Sequence, residues 1–419
     1  MNRLAGCLLG LWLLVHGLQA QPVTSPDDLQ RLDQILRRTP SFRAQLRGAR
    51  RTEYADAFRR AEKQLPKVET AFERFYWLSQ LVAPINDNHI SFYRKPDQEF
   101  DYARYQDSSY VRAFRASQPY RDYPRSTLAL DSLEAALKTR SADSLEGIYY
   151  YRQALKIGVY RTSRRDSVVG VVLVSYLPIW SPGDVSFLLR ETAPHRFWLY
   201  SIHPWQKGFA FYRHEKLLNR SLKLYGITKA LSQPDYGTLP DSLPKFFSRR
   251  LRPDVLYVRL GDFMVNPVNR RRSEAFYVSL KDSLTTSELI VDVRNNPGGY
   301  FTISRPYLKL IRRYARRHPV HLLVNHQTVS NAEEFVIRLM HRKNVRLYGE
   351  TTQGMITYGS NYGKTFPLAT PNLFIYPTDM RGVRRDLQYE TTGITPEVAL
   401  RPDTDWLEQL LLQASAHRK

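Results

Sequence analysis

VHLLVNHQTVSNAEEFVIRLM, residues 320–340, changes its hydrophobic period partway along. Val320, Leu322, Leu323 and Val324 form a short apolar run, the pattern of a buried strand. From Ala332 the period lengthens, and Ala332, Phe335, Val336, Leu339 and Met340 share one face of a helix. Ser330 sits at the joint, where the first amides of a helix have no intrahelical partner and the helix dipole is positive. A serine there has the position of a nucleophile that attacks a carbonyl, with the Asn331 amide stabilising the oxyanion. The same residues also read as a capping box, S-x-x-E, from Ser330 to Glu333, and most such serines only cap helices.

Working outward, ELIVDVRNNPGGY at residues 288–300 is an apolar strand that runs into two asparagines, a proline and two glycines. Asn295 and Asn296 tolerate left-handed turn conformations, and Gly298 and Gly299 expose bare backbone to whatever approaches. Taken alone, the stretch reads better as an ordinary turn. Downstream lie GETTQG at 349–354 and ETTGITPE at 390–397.

These four pieces, in this order, resemble the C-terminal-processing (tail-specific) serine protease superfamily, which includes the tricorn core protease. Its D-x-R-x-N-x-G-G strand end matches Asp292, Arg294, Asn296, Gly298 and Gly299, and its T-x-S-x-x-E turn matches Thr328, Ser330 and Glu333. G-E-x-T-x-G follows, then E-x-x-G-I-x-P-D, which closes here on Glu397 instead of Asp. The resemblance covers roughly residues 245–405. It implies a ClpP/crotonase-like core, Ser330 as nucleophile, and an oxyanion hole from Asn331 with Gly298 or Gly299. The lysine that deprotonates the serine in the tail-specific branch falls at Met355, which takes no proton, and the next lysine is Lys364. The tricorn-like branch uses a distant upstream histidine in a D-x-H motif, matched here by Asp87-Asn88-His89. The resemblance therefore implies His89 as the base and Glu390 as the residue that orients it. Retinoid-binding relatives resemble the same fold without being proteases, so a catalytically inactive peptide- or lipid-binding protein is the alternative.

The 419-residue chain has a formal net charge of +22 and a single cysteine, Cys7. Residues 1–20 combine Arg3, an apolar run from Leu4 to Leu18 and Ala20, the pattern of a secretory signal peptide. Export to a periplasm, envelope or exterior is expected, and the processed chain would have no thiol for disulfides, catalysis or metal binding. The carriers of the basic charge include scattered arginine doublets, with one triplet at Arg270-Arg271-Arg272. No DNA- or RNA-binding motif accompanies it, so no nucleic acid partner is expected. A solvated basic surface comes first, then weak attraction to an anionic envelope surface or an acidic substrate. His318, His321 and His326 have no carboxylate or cysteine at ligand spacing, and neither a metal nor an organic cofactor is expected.

The expected architecture is α+β and multidomain. An N-terminal helical domain (21–96) carries the His89 loop after a helix over 67–82. A polar connecting segment (97–144) leads to an antiparallel β domain (145–232), whose short β-branched and aromatic runs recur between turns. The α/β serine protease core (233–419) follows a proline-rich linker, with Val255–Leu260 as its first strand, Pro306 in the first turn of a helix, and Leu373–Tyr376 as a late strand. The expected partner is a polypeptide substrate.

Overall fold

The computed structural model describes residues 27–164, 166–359 and 363–416. The expected export segment and Cys7 lie outside these residues. The described chain divides into two units, one built from residues up to 231 plus 359–381, the other from 232–358 plus 382 onward.

The first unit opens with helices α1 (Asp27–Arg38), α2 (Pro40–Gln45), α3 (Ala49–Gln64) and α4 (Ala71–Val82). A capping box starts α4: Thr70 accepts the Glu73 amide at 3.2 Å, and the Glu73 carboxylate accepts the Thr70 amide at 3.0 Å. One face of α4 buries Phe72, Phe75, Leu78 and Val82. Strand β1 (Ser91–Arg94) follows, then the short helices α5 (Ser108–Ala116), α6 (Gln118–Arg121) and α7 (Leu130–Lys138). Eight antiparallel strands come next: β2 (Gly147–Tyr151), β3 (Leu155–Arg161), β4 (Ser167–Ser175), β5 (Val185–Ala193), β6 (Arg196–Ile202), β7 (Phe209–Leu218), β8 (Ser221–Leu222) and β9 (Ile227–Thr228). They pair in sequence from β7 back to β2, then through β9 and β8 to β7 again, which closes a barrel. Closure leaves these strands without an open edge.

The sequence reading separates helical domain, connector and β domain here. In the structure one hydrophobic cluster runs through all three, joining Leu32 and Phe75 to Phe114 and to Ile157, Leu199 and Phe211. The helices bury their apolar faces on the sheet, so neither layer has a core of its own.

The second unit is a six-stranded sheet. Strand β10 (Phe246–Arg252) pairs antiparallel with β11 (Val255–Leu260), and the sheet continues in parallel through β12 (Glu288–Asp292), β13 (Val320–Val324) and β14 (Val345–Gly349). Helices α8 (Pro267–Ser283), α9 (Phe301–Tyr314) and α10 (Asn331–Met340) make the crossovers. The chain then passes to the first unit, where β15 (Phe366–Pro367) and β16 (Leu373–Tyr376) extend the sheet through β1. It returns with β17 (Val398–Ala399), parallel to β14, and α11 (Trp406–Ala416).

Alternation along β11 explains the layering. Leu256, Val258 and Leu260 pack with α8, α9 and α10 on one face, while Val255 and Tyr257 pack with Trp406 and Leu410 of α11 on the other. Three expectations are corrected. The first strand of the unit is β10, not Val255–Leu260; its edge position lets it carry Arg249 and Arg250 exposed. Pro306 lies inside α9, beyond its first turn. Leu373–Tyr376 is a strand, but of the first unit's sheet.

Candidate active site

Ser330 joins β13 to α10 with φ 54° and ψ −120°. An L-residue resists that backbone, which costs on the order of 1–3 kcal/mol and persists only where the surroundings impose it. It is not the extended backbone of an ordinary N-cap, such as Thr70 at φ −117° and ψ 155°. Strained strand-to-helix turns of this kind lift a serine hydroxyl clear of the sheet. Ser330 is only partly buried, although Thr328 and Asn331 beside it are buried.

Two neighbouring loops hold the turn. The Asn296 carbonyl accepts the Val329 amide at 3.0 Å, and the Asn325 side chain bridges to Asn295, accepting its amide at 2.9 Å and donating to its side-chain oxygen at 2.7 Å. Thr328 donates to the Val293 carbonyl at 2.9 Å. Gly298 packs against the serine so closely that a Cβ on it would stand 2.9 Å from both Ser330 Cβ and the Asn331 nitrogen, and 2.6 Å from the Val329 oxygen. This contact, together with φ 84°, is the physical reason for glycine at that position.

The glycine amides divide their work. That of Gly298 donates to Asn296 Oδ1 at 2.9 Å. Gly299 lies beside Phe263, where the Phe263 amide donates to Gly298 O and the Tyr300 amide to Phe263 O. The amides of Gly299 and Asn331 therefore have no acceptor among the described residues. They are the donors available for an oxyanion. Beneath the loop, Arg294 binds Asp292 through Nε and Nη2, at 2.6 Å for the shortest contact, and Tyr257 donates to the same carboxylate at 2.8 Å. Burial alone would push Asp292 up, but the Arg294 guanidinium outweighs it and holds the carboxyl below its usual range.

Glu333, fully buried in the first turn of α10, is the hub that sequence reasoning reduced to a capping partner. Its carboxylate accepts the Ser330 amide at 3.0 Å, the Gly354 amide at 2.7 Å, the Met355 amide at 3.0 Å and the Thr352 hydroxyl at 2.5 Å. It therefore fastens the GETTQG loop to the serine turn. Glu390 Oε2 accepts the next two amides, Ile356 at 2.8 Å and Thr357 at 2.7 Å, and is likewise buried. The Thr391 amide donates to Gly354 O at 2.7 Å. Ser330, Gly298, Gly299, Asn331 and Glu390 thus belong to one connected set of loops.

His89 belongs to the first unit, on the loop after α4. That loop is clamped: Arg213 donates to Val82 O and Asp87 O, Arg50 to Pro84 O, and the Gln45 amide exchanges hydrogen bonds with the Asn86 backbone. Asp87 Oδ1 accepts the His89 amide at 3.2 Å, and its other oxygen takes the Thr378 hydroxyl. Burial pushes the His89 imidazole down to about 4, so the ring is neutral at physiological pH. Burial, then the charges of Lys216 and Arg213, push His214 of β7 down to about 3. Lys364 is exposed, on the 359–381 segment of the first unit. The described residues hold no group of three or more His, Cys, Asp or Glu side chains arranged for a metal. His326 instead pairs with Glu350 at 2.5 Å, and His321 with the Tyr348 hydroxyl at 3.2 Å.

No protein-family model and no curated protein matches the chain. Among solved structures, the photosystem II D1 C-terminal processing protease is 16% identical, with 92% of this chain and 96% of that one covered at a TM-score of 0.33. Mature CPAF is 11% identical, with 89% and 92% covered at 0.41. The tricorn protease is 12% identical, with 93% of this chain but 37% of that one covered at 0.39. Similarity at this level leaves the function to the residues themselves.

Proposed function

We propose that the chain is a serine peptidase with a ClpP/crotonase-like catalytic unit, exported to hydrolyse polypeptides. The observations that carry this reading are the strained backbone of Ser330 and, on the loops that hold its turn, the open amides of Gly299 and Asn331. A helix cap needs neither the strain nor the open amides, whereas acyl transfer needs both an accessible hydroxyl and preorganised donors.

In this reading His89 removes the Ser330 proton as the hydroxyl oxygen attacks a peptide carbonyl. The tetrahedral oxyanion is held by the Gly299 and Asn331 amides. Collapse breaks the C–N bond, His89 returns its proton to the leaving amine, and water then hydrolyses the acyl-enzyme by the reverse proton path. Glu390 orients the imidazole and stabilises its cation. Met355 in the slot of a lysine base favours histidine over a Ser-Lys dyad, because a thioether takes no proton.

Hydrolysis of an unfolded polypeptide, followed by mass spectrometry of the products, tests the reading. Wild-type protein is expected to cleave, and Ser330→Ala to fall to background while keeping its circular dichroism. Undiminished cleavage by Ser330→Ala would overturn it.

A further inference from the structure

Helix α9 packs between α8 and α10 on one face of the parallel sheet, with Ile303, Tyr307, Leu308 and Ile311 turned inward. Its opposite side carries Arg305, Lys309 and Arg312, continued by Arg316 in the turn after the helix. The spacing of four, three and four residues places all of them on one stripe, and every one is exposed. Helix α9 contains no acidic residue, and these cations form no ion pair among the described residues. The flanking helices add exposed Arg271 on α8 and Arg338 on α10. Against them stand exposed Glu274 and Asp282 on α8, with the partly exposed Glu334 of α10 hydrogen-bonded to Asn331.

We propose that the outer face of the α8–α9–α10 layer is a docking surface for an anionic lipid bilayer. From Arg305 to Arg312 the stripe runs roughly 10 Å along α9, and Arg316 extends it in the following turn, so that it lies flat on a charged plane. Each cation near such a surface adds to the attraction. Val278, 64% exposed, stands on the same side of α8 as Arg271 and Lys281, where an aliphatic side chain enters the headgroup boundary. Nucleic acid is the weaker fit. The stripe lies along the flank of a helix, with no aromatic platform for bases on it and no helix end projecting toward a groove. No helix among the described residues is long and apolar enough to cross a membrane, so attachment through this face would be peripheral.

Flotation of the whole chain with phosphatidylglycerol–phosphatidylcholine vesicles tests the proposal, with pure phosphatidylcholine vesicles reporting attachment through the apolar run at residues 4–18. The wild type is expected to float with the anionic vesicles and to be released by salt. Arg305→Glu/Lys309→Glu/Arg312→Glu/Arg316→Glu should weaken binding roughly tenfold or more. Arg43→Glu/Arg47→Glu/Arg51→Glu/Arg60→Glu, an equal change of charge in the first unit, should leave most of it. If the reversal misfolds by circular dichroism, four Gln substitutions at the α9 positions should still weaken binding severalfold. Equal loss in both charge variants, equal binding to both vesicle types, or duplex DNA binding that persists at salt releasing the vesicles would each overturn it.

Discussion

At Ser330, function and stability pull in opposite directions. A positive φ at a serine is maintained by its neighbours: the Gly298 contact, the Asn296–Val329 hydrogen bond and the Glu333 carboxylate on its own amide. Ser330→Gly removes the steric penalty together with the nucleophile, so it should be inactive yet more stable than wild type by about 1 kcal/mol in denaturant unfolding. A less stable glycine variant would show that the turn is not strained. His89 makes the second residue-scale prediction. Its imidazole is held down to about 4 by burial, so the free enzyme should keep its base unprotonated well below the usual histidine range. The acid limb of kcat/KM is expected near pH 4, and a limb near 6.5 would mean a solvated histidine or a different base. The strand-to-helix change of period exposed the place of Ser330 in the sequence. Its φ could not be read there, because the strain comes from Gly298, 32 residues earlier, and from the buried hub at Glu333.

At the scale of elements, two carboxylates hold the loop at 349–357 alongside backbone bonds from the Thr352 amide to Ile394 O and from the Gln353 amide to Thr328 O. Glu333 takes Thr352, Gly354 and Met355, and Glu390 takes Ile356 and Thr357. Buried donors left without an acceptor cost about 1–3 kcal/mol each. Glu333→Gln replaces one accepting oxygen with a donating amide that faces other donors, so the loop should detach locally while the sheet survives. Hydrogen exchange is expected to rise at residues 352–356 and remain slow in β13 and β14; unchanged exchange in that loop would remove Glu333 from its role as hub. The motif spacing brought these residues into view together, whereas their wiring depends on contacts across some twenty residues that no local pattern encodes. Strand β10 escaped for another reason: three prolines at 234, 240 and 244 precede it, and its Arg249-Arg250 pair hides the alternation of an edge strand.

For the whole molecule, the helix-then-strand order of the first unit and the βα alternation of the second followed from hydrophobic periods. The assignment of segments to units did not. Residues 359–381 sit within the second unit in sequence but add β15 and β16 to the first unit's sheet, with Asp28 accepting the Thr370 amide at 2.9 Å. An alternating strand such as Leu373–Tyr376 carries no mark of which sheet it joins. The proposed chemistry likewise draws its nucleophile from one unit and its base from the other. Reaction of the whole chain with a fluorophosphonate, with the adduct located by mass spectrometry, reads both at once. Ser330 is expected to carry the adduct, and His89→Gln, folded by circular dichroism, to react at least 10²-fold more slowly, in line with the usual worth of a positioned base. An unlabelled Ser330, or labelling indifferent to His89, would contradict the assignment.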